Sequence, residues 1–353
     1  MKINILNLIT GLGMGGAEKA VLEISKKIPK DDFNVFILGL SNRAELYNEF
    51  IKNDLNTVIL NKTNSLKDFI EIVNYINKFV RKHDIHIIHA HMTHAVIVAS
   101  FIKLLNPHIK VVFTSHSENI GSKIREILLF LLKPLRNVDI LLSERIKKFF
   151  IKQRYKIIPN GIDINIYQIK LRKNSVFTFI AVGRLEKVKN HIELLKIANE
   201  LKRFYKFKLL IIGEGSLRSE LENFIKEYSL ENTVKLLGLR NDVPKLLNKA
   251  HCFVMPSLWE GLPISLLEAG ASRLPVISTP VGSILDICNN ENSYVTELAD
   301  FKKNMMKVMN DYQHAVNKAM KLFCAVKNKY SINYVVEQHI KLYKELYNEQ
   351  NSN

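Results

Sequence analysis

Ile158-Pro159-Asn160-Gly161-Ile162-Asp163 is a turn-rich run that leads into a basic, weakly patterned stretch ending at Ser175. Proline, asparagine and glycine together punctuate regular structure, so this stretch reads as a linker. On its N-terminal side strand-like and helix-like patterns alternate, and on its C-terminal side the alternation starts afresh at Val176–Val182. Alternation of that kind argues for α/β architecture with parallel sheets, and 353 residues are long for one core. Two Rossmann-like domains follow, at 1–168 and 169–332, with a last helical pattern at Asn333–Asn348 that could pack on either.

In the first half the patterning predicts strands at Ile3–Ile9, Asn34–Leu38, Thr57–Leu60, Ile85–His89, Val111–Thr114 and Asp139–Ser143. In the second it predicts Val176–Val182, Lys208–Ile212, Val234–Leu237, Cys252–Met255 and Val276–Ser278. Ligands of such folds sit at the carboxyl ends of the strands, so the loops there carry the function.

Composition sets outer bounds. With 47% apolar and 24% charged residues the chain is of globular type, and no apolar run reaches the ~18 residues a membrane span needs. Met1–Ile9 is short and broken by asparagines, a first strand and not a signal peptide, which makes a cytoplasmic protein the expectation. Cys252, Cys288 and Cys324 are too scattered for a disulfide framework or a CxxC site and read as buried thiols. The net charge is +17, and 123–156 holds ten basic against three acidic residues.

The most informative loop is Trp259-Glu260-Gly261-Leu262-Pro263-Ile264-Ser265-Leu266-Leu267-Glu268, after a buried strand. Pro263 suits a first helical turn, which leaves Glu260 on the loop and Glu268 about a turn and a half inside. At helical rise the carboxylates lie on the order of 10 Å apart. Between them the free N–H groups of the helix start attract a diphosphate, and ionised carboxylates accept hydrogen bonds from sugar and ribose hydroxyls. Two solvated glutamates around an ordinary helix start are the plainer reading.

Gly183-Arg184-Leu185-Glu186-Lys187-Val188-Lys189-Asn190 puts Arg184 and Lys189 on another such loop, with Asn190 as helix N-cap. Two cations there would stabilise a departing diphosphate, or be ordinary surface charge. Gly213-Glu214-Gly215 is a tight turn that makes room for a nucleotide, and backbone at Leu239 and Arg240 could read a base edge.

In the first half, Gly11-Leu12-Gly13-Met14-Gly15-Gly16-Ala17-Glu18 contains GxGxxG, a weak dinucleotide signal. The end of the second strand, Gly39-Leu40-Ser41-Asn42-Arg43, lacks a ribose-binding acid, though Arg43 could favour a 2′-phosphate. A glycine loop that admits a phosphate or sugar, with Glu18 aiding the helix start, is the alternative. His89-Ala90-His91 and Thr114-Ser115-His116 end two strands facing the same crevice. No third metal ligand stands at a diagnostic spacing, and a hydrogen bond from His116 to a sugar hydroxyl or developing charge fits better.

Taken in order, Gly15-Gly16-Ala17-Glu18, His116, Asn160-Gly161-Ile162-Asp163, Gly183-Arg184-Leu185 with Lys189, Gly213-Glu214-Gly215, Glu260…Glu268 and Pro275-Val276-Ile277 resemble the retaining glycosyltransferases of GT-B fold, family 4. The resemblance implies two Rossmann-like domains facing each other across a cleft, the last helix, 333–353, returning to the first. It implies Glu268 on the ribose, Glu260 on the donor sugar, Arg184 and Lys189 on the diphosphate, backbone around 262–266 as the anion-binding turn, and Gly261, Leu262, Pro263 and Ile264 among the donor-binding residues. Gly15 and Gly16 would lie beside donor and acceptor, and His116 near the reacting sugar. No metal or cofactor is implied, UDP is the preferred nucleotide with GDP second, and the acceptor would be a lipid-linked or other glycan of a bacterial surface polysaccharide.

Three departures stand out. Arg273 takes a usual glycine position, Ser283 replaces a second glycine after Val281, and Asp286 replaces a glutamate. The Ser143–Tyr155 segment is also shorter than usual. Ile124–Arg136 is strongly apolar, flanked by bases and too short to span a bilayer. It reads as a surface for anionic lipid or as a buried helix with solvated lysines. An epimerase of the same fold, an NAD(P) oxidoreductase and a non-catalytic membrane or nucleic-acid binder are the competing functions. No nucleic-acid motif is visible, and no nucleic-acid partner is expected.

Overall fold

The computed structural model describes residues 2–63, 65–116 and 122–351. The chain divides into two compact units, Met1–Gly161 with Ile332–Asn353, and Ile162–Ser331. The division falls at the Gly161–Ile162 bond inside the turn-rich run, ahead of the boundary expected at 168.

The first unit runs β1 (Ile3–Ile9), α1 (Gly16–Lys27), β2 (Phe33–Gly39), α2 (Tyr47–Lys52), β3 (Asn56–Ile59), α3 (Leu66–Lys82), β4 (Ile87–His91), α4 (Thr93–Leu105), β5 (Lys110–Ser115), α5 (Lys123–Leu131), β6 (Val138–Leu141) and β7 (Tyr155–Ile157). Among the described residues these strands form one parallel sheet in the order β3-β2-β1-β4-β5-β6-β7, with β1 held between β2 and β4. Almost every β1 side chain is buried, as expected of a parallel strand covered on both faces. β4 begins two residues later than the patterning predicts and ends at His91, so both histidines of His89-Ala90-His91 lie within the sheet.

The second unit runs β8 (Phe177–Val182), α6 (His191–Leu201), β9 (Phe207–Ile212), α7 (Arg218–Glu227), β10 (Val234–Leu236), α8 (Val243–Lys249), β11 (Cys252–Met255), α9 (Ile264–Ala271), β12 (Val276–Ser278), α10 (Ile284–Ile287), β13 (Tyr294–Val295), α11 (Phe301–Asn310) and α12 (Tyr312–Tyr330). Its parallel sheet has the order β10-β9-β8-β11-β12-β13. Both sheets reverse their winding beside their first strand, which is where such folds bind ligands.

The last helix, α13 (Ile332–Asn351), belongs to the first unit. Val335, Val336, Leu342, Tyr343 and Leu346 pack with Ile5, Phe33, Ile87 and Val112, and Arg154 forms ion pairs with Glu345 and Glu349. Residues 352–353 of the expected helix lie outside the described residues.

The apolar run at 124–136 is not a buried helix. Only Leu129 of α5 is fully buried, while Ile124, Ile127, Phe130 and Leu131 are 77%, 55%, 48% and 65% exposed. Of the cysteines, Cys252 and Cys288 are buried and Cys324 is exposed, which corrects the expectation of three buried thiols. No described helix is long and apolar enough to cross a membrane.

Candidate functional site

In the second unit the chain leaves β11 at Met255 and turns into α9. Pro263 occupies the N-cap with ψ 112°, one place earlier than expected, because its peptide still runs extended. Glu260 is on the loop, and Glu268, fifth in α9, lies little more than one turn inside, not a turn and a half. The first N–H groups of α9 have no partner within the helix, so its start attracts anions.

Glu260 is only 5% exposed. Its Oε1 accepts from Lys189 Nζ at 2.6 Å and from Ser257 Oγ at 2.7 Å, and Thr279 Oγ1 donates to the Ser257 carbonyl at 2.6 Å. Lys189 and Glu260, given separate ligand groups by the sequence reading, are thus already joined. Gly282, at φ +53°, closes the loop from behind: a Cβ there would overlap the Glu260 carbonyl oxygen, so only glycine fits.

The loop after β8 is tied to this one by its backbone. Leu258 N–H donates to the Val188 carbonyl at 2.8 Å. Asn190 does not cap α6 with its side chain as expected. It adopts φ 53°, ψ 38°, and its amide donates to the Pro256 carbonyl at 3.2 Å. Arg184 is exposed on the same loop. Gly213, at φ +145°, lies so close that a Cβ would overlap the Gly183 carbonyl. Leu239 is exposed, and the Arg240 guanidinium is held by Asp242 through two 2.8 Å bonds. A cavity of about 590 Å³ opens there, lined also by Ile166, Ile169 and Pro244. Tyr167 donates its hydroxyl to Glu268 Oε1 at 2.8 Å.

In the first unit a cavity of about 670 Å³ is lined by Gly11, Glu18, Ser41, Arg43, His116 and Arg125, among others. Gly15 is the N-cap of α1, Gly16 its first residue, and a Cβ at Gly15 would collide with the Glu18 carboxylate. Glu18 is buried, and burial holds its carboxyl above the usual range despite nearby Arg43. Of the strand-end histidines only His116 lines the cavity. His89 and His91 are interior, contrary to expectation: His89 bonds Tyr343 Oη (2.7 Å) and Thr114 Oγ1 (2.6 Å), and His91 bonds His116 Nε2 (3.0 Å) and Asn7 Oδ1 (3.2 Å). Burial pushes all three imidazoles down, His116 to about 4. Among the described residues no three His, Cys, Asp or Glu side chains are grouped to hold a metal ion.

Tyr167, Ser257 and Gly282 are further residues of the candidate site that no sequence motif marks. Tyr167 follows the Asn160–Asp163 run by four residues and Ser257 follows the buried strand by two, positions that signal proximity without naming a partner.

Residues 163–322 match the family model of glycosyl transferases group 1, and residues 14–166 that of glycosyltransferase family 4. The chain is similar to the UDP-Gal:alpha-D-GlcNAc-diphosphoundecaprenol alpha-1,3-galactosyltransferase of Escherichia coli, 25% identical over 84% of this chain and 86% of that one. It is also similar to the N-acetylgalactosamine-N,N'-diacetylbacillosaminyl-diphospho-undecaprenol 4-alpha-N-acetylgalactosaminyltransferase of Campylobacter jejuni, 35% identical over 46% of each chain. Among solved structures, Anabaena Alr3699/HepE in complex with UDP superposes with a TM-score of 0.84 at 18% identity, over 98% of this chain and 100% of that one, a likeness of fold.

Proposed function

From the premise that the chain belongs to the family 4 glycosyltransferases of GT-B type, we propose that it moves a hexose from a UDP-sugar to a lipid-linked glycan with retention of anomeric configuration. GDP-mannose is the second choice of donor. The observation that carries this reading is the Lys189–Glu260–Ser257 cluster beside the N-terminus of α9, with Glu268 on that helix. The E. coli and C. jejuni relatives are both named for diphosphoundecaprenol-linked sugars, which supports the acceptor class; a place in bacterial surface polysaccharide synthesis is part of the proposal.

In this reading Glu268 accepts the ribose hydroxyls, and Gly213, Leu239 and Arg240 border the nucleotide. Arg184, Lys189 and the turn Gly261–Ile264 neutralise the diphosphate as the bond from sugar C1 to its oxygen breaks. Glu260 holds the sugar hydroxyls. The acceptor oxygen bonds C1 on the face the diphosphate leaves, and its proton passes to the departing phosphate oxygen. Gly15, Gly16 and His116 belong to the sugar-facing side of the first unit. These cations and the helix start replace a divalent metal, so transfer should persist in excess EDTA.

Docking on the inner face of the cytoplasmic membrane fits α5, whose exposed Ile124, Ile127, Phe130 and Leu131 adjoin Lys123 and Lys133. Flotation with anionic vesicles checks it, and binding that ignores both lipid charge and salt would count against it. For the donor, thermal stability is measured with UDP, GDP, their sugars and NADPH. UDP or a UDP-sugar should raise Tm in the wild type and much less in Lys189→Ala; a rise with NADPH alone would overturn the transferase reading.

A further inference from the structure

Three adjacent strands bring Asn7, His91 and His116 into one line, from the interior of β1 through the end of β4 to the cavity wall after β5. Asn7 and His91 are each 3% exposed. Asn7 Nδ2 donates to Ser25 Oγ at 3.3 Å, which leaves Oδ1 to face His91 Nε2 at 3.2 Å. An amide oxygen carries no proton, so His91 Nε2 must supply one. Burial and the neighbouring imidazoles of His89 and His116 keep His91 neutral, with a single ring proton. Its Nδ1 is therefore bare, and the 3.0 Å contact with His116 Nε2 needs the proton of His116. His116 is neutral as well, so its own Nδ1 is bare. That atom is buried and has no hydrogen-bond partner among the described residues.

We propose that Asn7, acting through His91, is a positioning residue that holds His116 as the Nε2–H tautomer and so presents Nδ1 as an acceptor for a hydroxyl of a bound sugar. The role in turnover rests on the glycosyltransferase reading; the tautomer does not. His89 cannot divert the chain, since Tyr343 and Thr114 occupy both its nitrogens. The ionisable groups nearest His116 are His91 by hydrogen bond and His339 by charge, while Glu18, Arg43, Lys62, His94 and Arg125 share its cavity. A buried acceptor without a partner gains most from an incoming O–H, so sugars lacking that hydroxyl are disfavoured. His116 then orients a hydroxyl and does not donate to the departing diphosphate, a sharper role than either sequence expectation.

The test is ¹⁵N NMR of the full-length protein with labelled histidine, His116 being assigned by the signals lost in His116→Gln. Wild type should show His116 protonated at Nε2, and Asn7→Leu should mix the two tautomers and lower kcat about tenfold with UDP affinity unchanged. Asn7→Asp, which keeps an acceptor, should retain the wild-type pattern. His116 protonated at Nδ1 in the wild type would overturn the proposal and needs no variant to fold; an unchanged tautomer in folded Asn7→Leu would also overturn it. Deoxy analogues of donor and of acceptor, tried in turn, identify which sugar supplies the hydroxyl. The expected tautomers in a protein that transfers no sugar would support the relay and overturn the transferase reading.

Discussion

Arg273 adopts φ +54°, a left-handed backbone that costs a residue with a side chain about 1 kcal/mol, at the position where the family resemblance expects glycine. Its guanidinium recovers part of that cost, lying 4.4 Å over the Phe323 ring and donating to Gln168 Oε1 at 2.6 Å. Arg273→Ala keeps the strain and loses both contacts, whereas Arg273→Gly loses the contacts and the strain. Urea unfolding should therefore rank the glycine variant about 0.5–1 kcal/mol above the alanine variant, and the reverse order would show that the strain is negligible. Tyr167→Phe removes only the hydroxyl that fixes Glu268. It should weaken UDP binding about three- to tenfold by calorimetry, and an unchanged Kd would remove Tyr167 from the proposed ribose subsite. Candidate residues could be picked out in the sequence because charge, glycine and proline announce themselves. Pairings were not, since nothing in the chain's order shows that Lys189 will meet a carboxylate 71 residues away.

Strands that form a continuous buried run were read to within a residue or two, as β1, β11 and β12 show. β7 and β13 were missed because these short strands lie at sheet edges and are partly exposed, which leaves no buried apolar run to read. Exposure of α5 was equally hidden, for an apolar run has the same composition whether it faces a core or a lipid surface. What fixes that region is a buried pair. Arg136 and Asp139 are 1% and 0% exposed, with Nη1 and Oδ2 3.4 Å apart. Arg136 Nη2 donates to the carbonyls of Leu129 in α5 and Phe150, while Asp139 on β6 accepts the Lys152 N–H. Burial pulls the two groups' pKa values toward neutrality, Asp139 up and Arg136 down. Arg136→Ala should cost about 3–5 kcal/mol in chemical unfolding, because it strands a buried carboxylate. Arg136→Met combined with Asp139→Leu should recover part of that loss, although the Lys152 N–H is left unpaired. A double variant no more stable than Arg136→Ala would contradict the account.

Two alternating halves around a turn-rich run were enough to read two Rossmann-like units, but not which polar groups lie inside each. The imidazoles that burial depresses furthest are distributed unevenly: His89, His91, His116 and His339 in the first unit, and His191 in the second. Burial sets His116, His339 and His191 at about 4 in the folded protein, against an ordinary 6.5, and lowers His89 and His91 well below that value. With folded values depressed, the unfolded chain takes up protons first. Stability from these groups is therefore complete above about pH 6.5 and is lost as pH falls toward 4, by up to about 1.4 kcal/mol per pH unit for each group. Four such groups against one make the first unit the acid-labile one. Trp259, the single tryptophan, lies in the second unit, so its emission follows the unfolding of that unit. On titration from pH 7 to pH 4, helical circular dichroism should begin to fall before Trp259 emission shifts, and the gap should narrow in His339→Phe, which removes one of the four groups. Coincident transitions in wild type and variant would mean that the imidazole cluster does not set acid stability.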